Sequence, residues 1–130
     1  MILKASDCLE TIDVLVNNAG LGGQNSLEEM PDDVWNNIID VTLNGTMRVM
    51  RASIPYLKKT QGVIVNNASV LGWRAQKDQT HYAAAKAGVM ALTRCTAVEL
   101  AEYNIRVNAV APSLALNPHL SKTSSDELIN

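Results

Sequence analysis

The sequence has no run of basic residues, no apolar stretch of membrane-spanning length and no cysteine pair at metal-ligand spacing, and each gap removes a class of function. Lys and Arg number 11 against 13 Asp and Glu, giving a formal net charge of -2. That balance offers no electrostatic footprint for nucleic acid or an acidic membrane surface. A membrane span needs about 20 consecutive apolar residues, and none is present. Cys8 and Cys95 stand far apart, so neither a disulfide framework nor a metal site is expected. The opening MILKASDCLE has no secretory leader, and a reducing cytoplasm is the expected compartment. Aromatic residues are scarce at 4%, but the 47% hydrophobic content is ordinary for a soluble α/β protein. At 130 residues the chain fits one domain, spanning 1–130 and large enough for a core.

Three segments read as short buried strands: DVLVNN from Asp13, GVIVNN from Gly62 and IRVNAVAP from Ile105. Each is β-branched and apolar over about four or five residues and closes on turn or polar residues. Such continuous apolar strands predict a parallel sheet covered on both faces. Between the first two, PDD opens a helix with Pro31 in its first turn and Asp32 and Asp33 near the positive end of the dipole. Val34, Ile38, Val41, Met47, Met50, Ile54 and Leu57 largely keep helical spacing, and the pattern stops before TQG. A second helix is predicted from about Thr80 to Tyr103. Strand, helix, strand, helix, strand predicts an α/β fold, a doubly wound parallel sheet of Rossmann type with right-handed connections. The polar tail from Leu116 to Asn130 reads as a loop through Pro118 and, at TSSDEL, the first turn of a helix.

HYAAAKAG, His81 to Gly88, sets Tyr82 and Lys86 four positions apart on one helix face. Alone the pair decides little, because a packed tyrosine and a solvated lysine would give the same letters. Its surroundings are more informative. Ser69 closes the second strand in NNASVLG, the first strand ends in NNAG at Asn17 to Gly20, and the third ends in Pro112 and Ser113. Ligands of open α/β sheets bind beyond the carboxyl ends of the strands. One rim should therefore hold Asn18, Gly20, Ser69 and Pro112, with Tyr82 and Lys86 beside it. A phenol is a poor base at neutral pH, but a neighbouring ammonium favours the phenolate. Tyr82 could then exchange a proton with an alcohol/ketone pair while Ser69 holds the same oxygen. The accompanying hydride lies beyond any side chain and requires a nicotinamide cofactor.

NNAG, the serine, YAAAK and RVNAVAPS, in this order and at this spacing, resemble the short-chain dehydrogenase/reductase family across essentially the whole chain. The resemblance implies an oxidoreductase that uses NAD or NADP to interconvert a secondary alcohol and a ketone. Ser69, Tyr82 and Lys86 would be catalytic, with Tyr82 and Lys86 also meeting the cofactor, Lys86 at the nicotinamide ribose. Asn18, Ala19 and Gly20 would line the adenosine side, and Pro112, Ser113 and Ala115 the nicotinamide side. Counting from Trp35, the family's fourth catalytic residue, an asparagine, falls on Thr42, and Asn44 lies two residues too late. The family uses that residue's backbone carbonyl to hold a water relay, which a threonine retains. Ser113 replaces the usual glycine, and Asn117 stands where a threonine commonly meets the cofactor carboxamide. More narrowly, NNASVLGWRAQ, HYAAAKAGVMALTR and KTSSDEL look like a bacterial branch acting on ring ketones of steroid-derived acyl-CoA intermediates. The partner implied is a small-molecule ketone or alcohol. The family's two long helices commonly pair across a dimer, implying a homo-oligomer.

Some of the family's pattern has no counterpart. Its opening strand and Gly-rich turn, which hold the pyrophosphate, are missing from this sequence, and GLGG at Gly20 to Gly23 lacks the full G-x-G-x-x-G pattern. GLGG reads instead as a flexible turn. The substrate-covering helix and last strand also lack counterparts, so the chain resembles the central to carboxy-terminal strands of a longer domain. Two functions stay open: the catalytic portion of an oxidoreductase, or a truncated product acting only through subunit association. Among other residues, Asn66 and Asn67 are expected to satisfy backbone groups at a strand end. Trp73 and Arg74 read equally as surface or substrate-contact residues, and His81 and His119 as solvated or structural. The methionines at helical spacing read as core or subunit contacts.

Overall fold

The computed structural model describes residues 2–113. The three expected strands form as β1 (Val14–Asn17), β2 (Val63–Asn67) and β3 (Arg106–Val110). They pair in parallel in the order β1-β2-β3, with Leu15 opposite Ile64 and Ile64 opposite Val107. A helix, α1 (Ile2–Cys8), precedes them, with Ile2 packed against the core. Two turns hold too few residues for a helical period to stand out in the sequence.

The predicted first long helix is built in three pieces. These are α2 (Asp32–Ile39), a π-helical turn over Asp40–Asn44, and α3 (Gly45–Thr60). Pro31 stands one place before the first turn, as the capping residue, and its carbonyl accepts the Trp35 N–H at 3.1 Å. At the far end Gln61 turns left-handed at φ 54°, and Gly62 follows where a Cβ would come within 2.6 Å of the Asp13 carbonyl oxygen. Only glycine fits that approach. The Thr60 hydroxyl donates to the Ile12 carbonyl at 2.9 Å, fastening the end of α3 to the residues entering β1. The second long helix is α4 (Thr80–Leu100), continued as a 3-10 turn over Ala101–Tyr103.

Both crossover helices pack on the same sheet face. Leu15, Ile64 and Val107 share that face by register, and they form one core with Met50 and Leu57 of α3 and Leu100 of α4, joined by Ile12 and Ile105. Each of these apolar side chains contributes about 1.5–3 kcal/mol by leaving water. The face also carries a polar bridge: Asn17 Nδ2 donates to Asn66 Oδ1 at 2.9 Å, and Asn66 Nδ2 donates to the Thr93 hydroxyl at 2.9 Å. Asn66, fully buried, thus ties β1, β2 and α4 together through side chains, where the sequence suggested a partner for backbone groups.

Coverage on the second face is not seen among the described residues. Val14 and Val16 point there and are 59% and 61% exposed. Strands placed side by side in chain order send successive crossovers of one hand over the same face, so α3 and α4 cannot cover both.

Candidate active site

The carboxyl ends of the strands meet at one rim. Beyond β2 and β3 the pairing continues, with Ala68 N–H donating to the Val110 carbonyl at 2.8 Å and Val70 N–H to the Pro112 carbonyl at 3.0 Å. Ser69 and Pro112 therefore sit on adjacent segments that continue β2 and β3. On the other side, Asn67 Nδ2 donates to Asn18 Oδ1 at 2.6 Å, which brings the segment after β1 against the end of β2. Asn18, Ala19, Gly20, Pro112 and Ser113 are exposed there. Ala115, Asn117 and His119, with the tail helix turn expected at TSSDEL, lie outside the described residues.

The first turns of α4 bring Tyr82 and Lys86 to this rim. Lys86 is only 4% exposed, and its Nζ donates to the Asn67 carbonyl at 2.6 Å. The same Nζ lies 5.6 Å from the centroid of the half-buried Tyr82 ring. Burial pushes the Lys86 ammonium below its ordinary pKa. The expected pair is thus a neighbouring pair, with the lysine anchored on strand backbone and not solvated.

Ser69 is buried, and its hydroxyl oxygen accepts the Leu71 N–H at 3.2 Å, capping a 3-10 turn over Val70–Gly72. No hydrogen bond joins Ser69 to the Tyr82 hydroxyl. Both hydroxyl protons can therefore turn to a third group. Trp73, just beyond the 3-10 turn, is 66% exposed, and Arg74 beside it is exposed too.

Thr42 falls in the π-helical turn, a feature often found at functional sites. It is 1% exposed. Its carbonyl accepts the Thr46 hydroxyl at 2.8 Å, and its own hydroxyl accepts the Leu21 N–H at 3.1 Å. A Cβ built on Gly20 would lie 3.6 Å from Lys86 Nζ and 3.6 Å from Thr42 Oγ1. Gly20, Thr42 and Lys86 form one cluster. The sequence held no signal for two of its members' contacts, because the partners are the backbone N–H of Leu21 and the carbonyl of Asn67.

His81, next to Tyr82, is fully buried, and neither ring nitrogen has a hydrogen-bond partner among the described residues. Its burial favours the neutral ring and pushes its pKa down. The histidine is structural in placement, not solvated. No group of three metal-ligating side chains occurs among the described residues.

The rim carries donors and an open backbone of the kind a dinucleotide cofactor needs. Lys86 has N–H donors beyond the one given to Asn67, Gly20 carries no side chain on the approach to it, and Pro112 and Ser113 are exposed residues on the segment beside Ser69.

Comparison with known proteins agrees with this architecture. The profile of the short chain dehydrogenase family matches residues 1–128. The chain belongs to the short-chain dehydrogenase family, an oxidoreductase family whose members use NAD(P). It is 60% identical over 121 residues to the (5R,7aS)-5-hydroxy-7a-methyl-1-oxo-2,3,5,6,7,7a-hexahydro-1H-indene-carboxyl-CoA reductase of Mycobacterium tuberculosis, covering 92% of this chain and 46% of that protein. A 3-oxoacyl-[acyl-carrier-protein] reductase of Thermotoga maritima is 46% identical over 112 residues, covering 85% of this chain and 46% of the relative. Among solved structures, a short chain dehydrogenase from Mycobacterium smegmatis superposes with a TM-score of 0.83 at 56% identity, over 88% of this chain and 48% of that one. Carveol dehydrogenase from Mycobacterium avium, solved with NAD, gives a TM-score of 0.81 at 38% identity, over 85% and 41%. These neighbours make the fold a Rossmann-type α/β fold. The chain spans about half the length of the relatives it matches. No helix among the described residues is long and apolar enough to cross a membrane.

Proposed function

We propose that the chain carries the catalytic portion of an NAD(P)-dependent oxidoreductase that interconverts a secondary alcohol and a ketone. The observation that carries this reading is the anchored Lys86 ammonium, 5.6 Å from the Tyr82 ring at the rim that also holds Ser69. In the reducing direction Tyr82 gives its hydroxyl proton to the carbonyl oxygen as that oxygen gains charge, and Ser69 donates a hydrogen bond to the same oxygen. Lys86 offsets the negative charge left on the phenolate by Coulomb attraction. In the oxidising direction the phenolate takes the alcohol proton back. The nicotinamide, when bound, supplies or accepts the hydride. Lys86 would also hold its ribose, Asn18, Ala19 and Gly20 would line the adenosine side, and Pro112, Ser113 and Ala115 the nicotinamide side. The Thr42 carbonyl would hold a water leading toward Lys86.

The 60% identity to the indene-carboxyl-CoA reductase supports a ring ketone of an acyl-CoA ester as substrate. Free, exposed Cys8 and Cys95 are consistent with a reducing cytoplasm, and pairing of the two long helices with a second copy fits the family pattern. A second reading, a non-catalytic product that acts through subunit association, is favoured by the bare sheet face at Val14 and Val16.

Variants in a chimera separate the two readings. This chain would replace the matching segment of the Mycobacterium tuberculosis reductase, with turnover and NADH affinity measured separately. Lys86→Ala should lower both, and Ser69→Ala should lower mainly turnover, because its bond strengthens toward the developing oxyanion. A chimera that binds NADH yet reduces no ketone would favour the non-catalytic reading.

A further inference from the structure

We propose that Asn67 is a positioning residue whose side-chain amide holds the Asn18 carboxamide on the rim for the adenosine half of the dinucleotide. This use of the pair rests on the function proposed above. Asn17 lies opposite Asn66 in register, so Asn18 and Asn67 follow as neighbours, on the sheet face away from α3 and α4. Val14, Val16, Val63 and Val65 precede them on that face. A polar pair thus closes an apolar face at its carboxyl rim. Asn67 Nδ2 donates to Asn18 Oδ1 at 2.6 Å, while the Asn67 backbone carbonyl accepts from Lys86 Nζ. One residue therefore holds both the ammonium and the segment after β1.

The fold itself gives no reason for an amide here. Asn67 Oδ1 is buried and has no hydrogen-bond partner among the described residues. An unpaired buried acceptor costs stability, and asparagine is disfavoured in strands. The one side-chain hydrogen bond of Asn67 reaches the exposed Asn18, whose oxygen water would otherwise serve, so that bond returns little to the fold. A valine would continue the pattern of Val63 and Val65 and keep the carbonyl that anchors Lys86. It would lose the fixed orientation of Asn18. An exposed carboxamide free to rotate must be ordered when a ligand binds, at a cost to affinity, whereas one already held by Asn67 is ready. The amide gives up fold stability for a prepared contact.

The test reads Tm of the 130-residue chain and NADH affinity of the chimera described above. Asn67→Val should leave Tm at or above the wild-type value, yet weaken NADH binding roughly 3- to 10-fold, the worth of one net hydrogen bond. The loss should fall on affinity more than on turnover at saturating NADH. Asn18→Ala should weaken NADH binding as well, and in that background Asn67→Val should add no further loss, because Asn67 acts through Asn18. A lower Tm in the valine variant would make the amide part of the fold. Unchanged NADH affinity would remove its task, and losses that add in the double variant would separate it from Asn18. Any of these three results overturns the proposal. A parent chimera that binds NADH but reduces no ketone would fail the function proposed above and still leave Tm and the affinities to decide the role of Asn67.

Discussion

Lys86 Nζ donates to the backbone carbonyl of Asn67 at 2.6 Å, joining the first turns of α4 to the last residue of β2. The bond turns a flexible four-carbon side chain into a fixed charge beside the Tyr82 ring. A lysine held this way can serve a phenol and a bound ribose from one position.

Residues 1–130 by themselves, which contain no G-x-G-x-x-G pattern, should bind NADH or NADPH no tighter than about millimolar, since the remaining contacts must offset the ordering of a flexible dinucleotide. Isothermal calorimetry on the 130-residue chain checks this. Micromolar affinity would show that the rim holds the dinucleotide without such a turn.

The exposed Val14 and Val16 should drive association of residues 1–130, because among the described residues β1 is also paired on one side only. Light scattering should show the chain self-associating as concentration rises, and Val14→Lys with Val16→Lys should reduce it. A wild-type chain that stays monomeric at high concentration would contradict the expectation.

His81 should make the fold acid-sensitive. Its folded-state pKa lies below the ordinary 6.5, so as pH falls past 6.5 the unfolded state takes up a proton that the native state refuses. Stability from this group is therefore complete above 6.5 and is lost as pH falls from there toward the depressed native value. His81→Leu should flatten that part of the Tm–pH curve, without loss of stability at neutral pH because two unpartnered nitrogens disappear. An unchanged acid limb in the leucine variant would assign the sensitivity to other groups.

Much of the architecture was legible because it rests on side-chain pattern. The β-branched runs at Val14, Val63 and Arg106 became strands, and the spacing of Tyr82 and Lys86 gave one helix face. What escaped rests on backbone or on tertiary contact. The π-helical turn at Asp40–Asn44 disturbs the hydrophobic period too little to be read from Val34 to Leu57. Asn66 reads as a strand-end residue, yet its partners, Asn17 and Thr93, come from β1 and α4. The burial of His81 depends on packing beside Gly23, fifty-eight positions away in sequence, which no local pattern encodes.

The most direct test of the account is Tyr82→Phe in the chimera with the Mycobacterium tuberculosis reductase. Steady-state kinetics on the indene-carboxyl-CoA ester of that relative's name would be paired with separate NADH binding. If Tyr82 transfers the proton, turnover falls by at least ~10²-fold while NADH affinity stays nearly constant. Turnover near that of the parent chimera would contradict the account and leave Tyr82 as a packed ring beside a buried lysine.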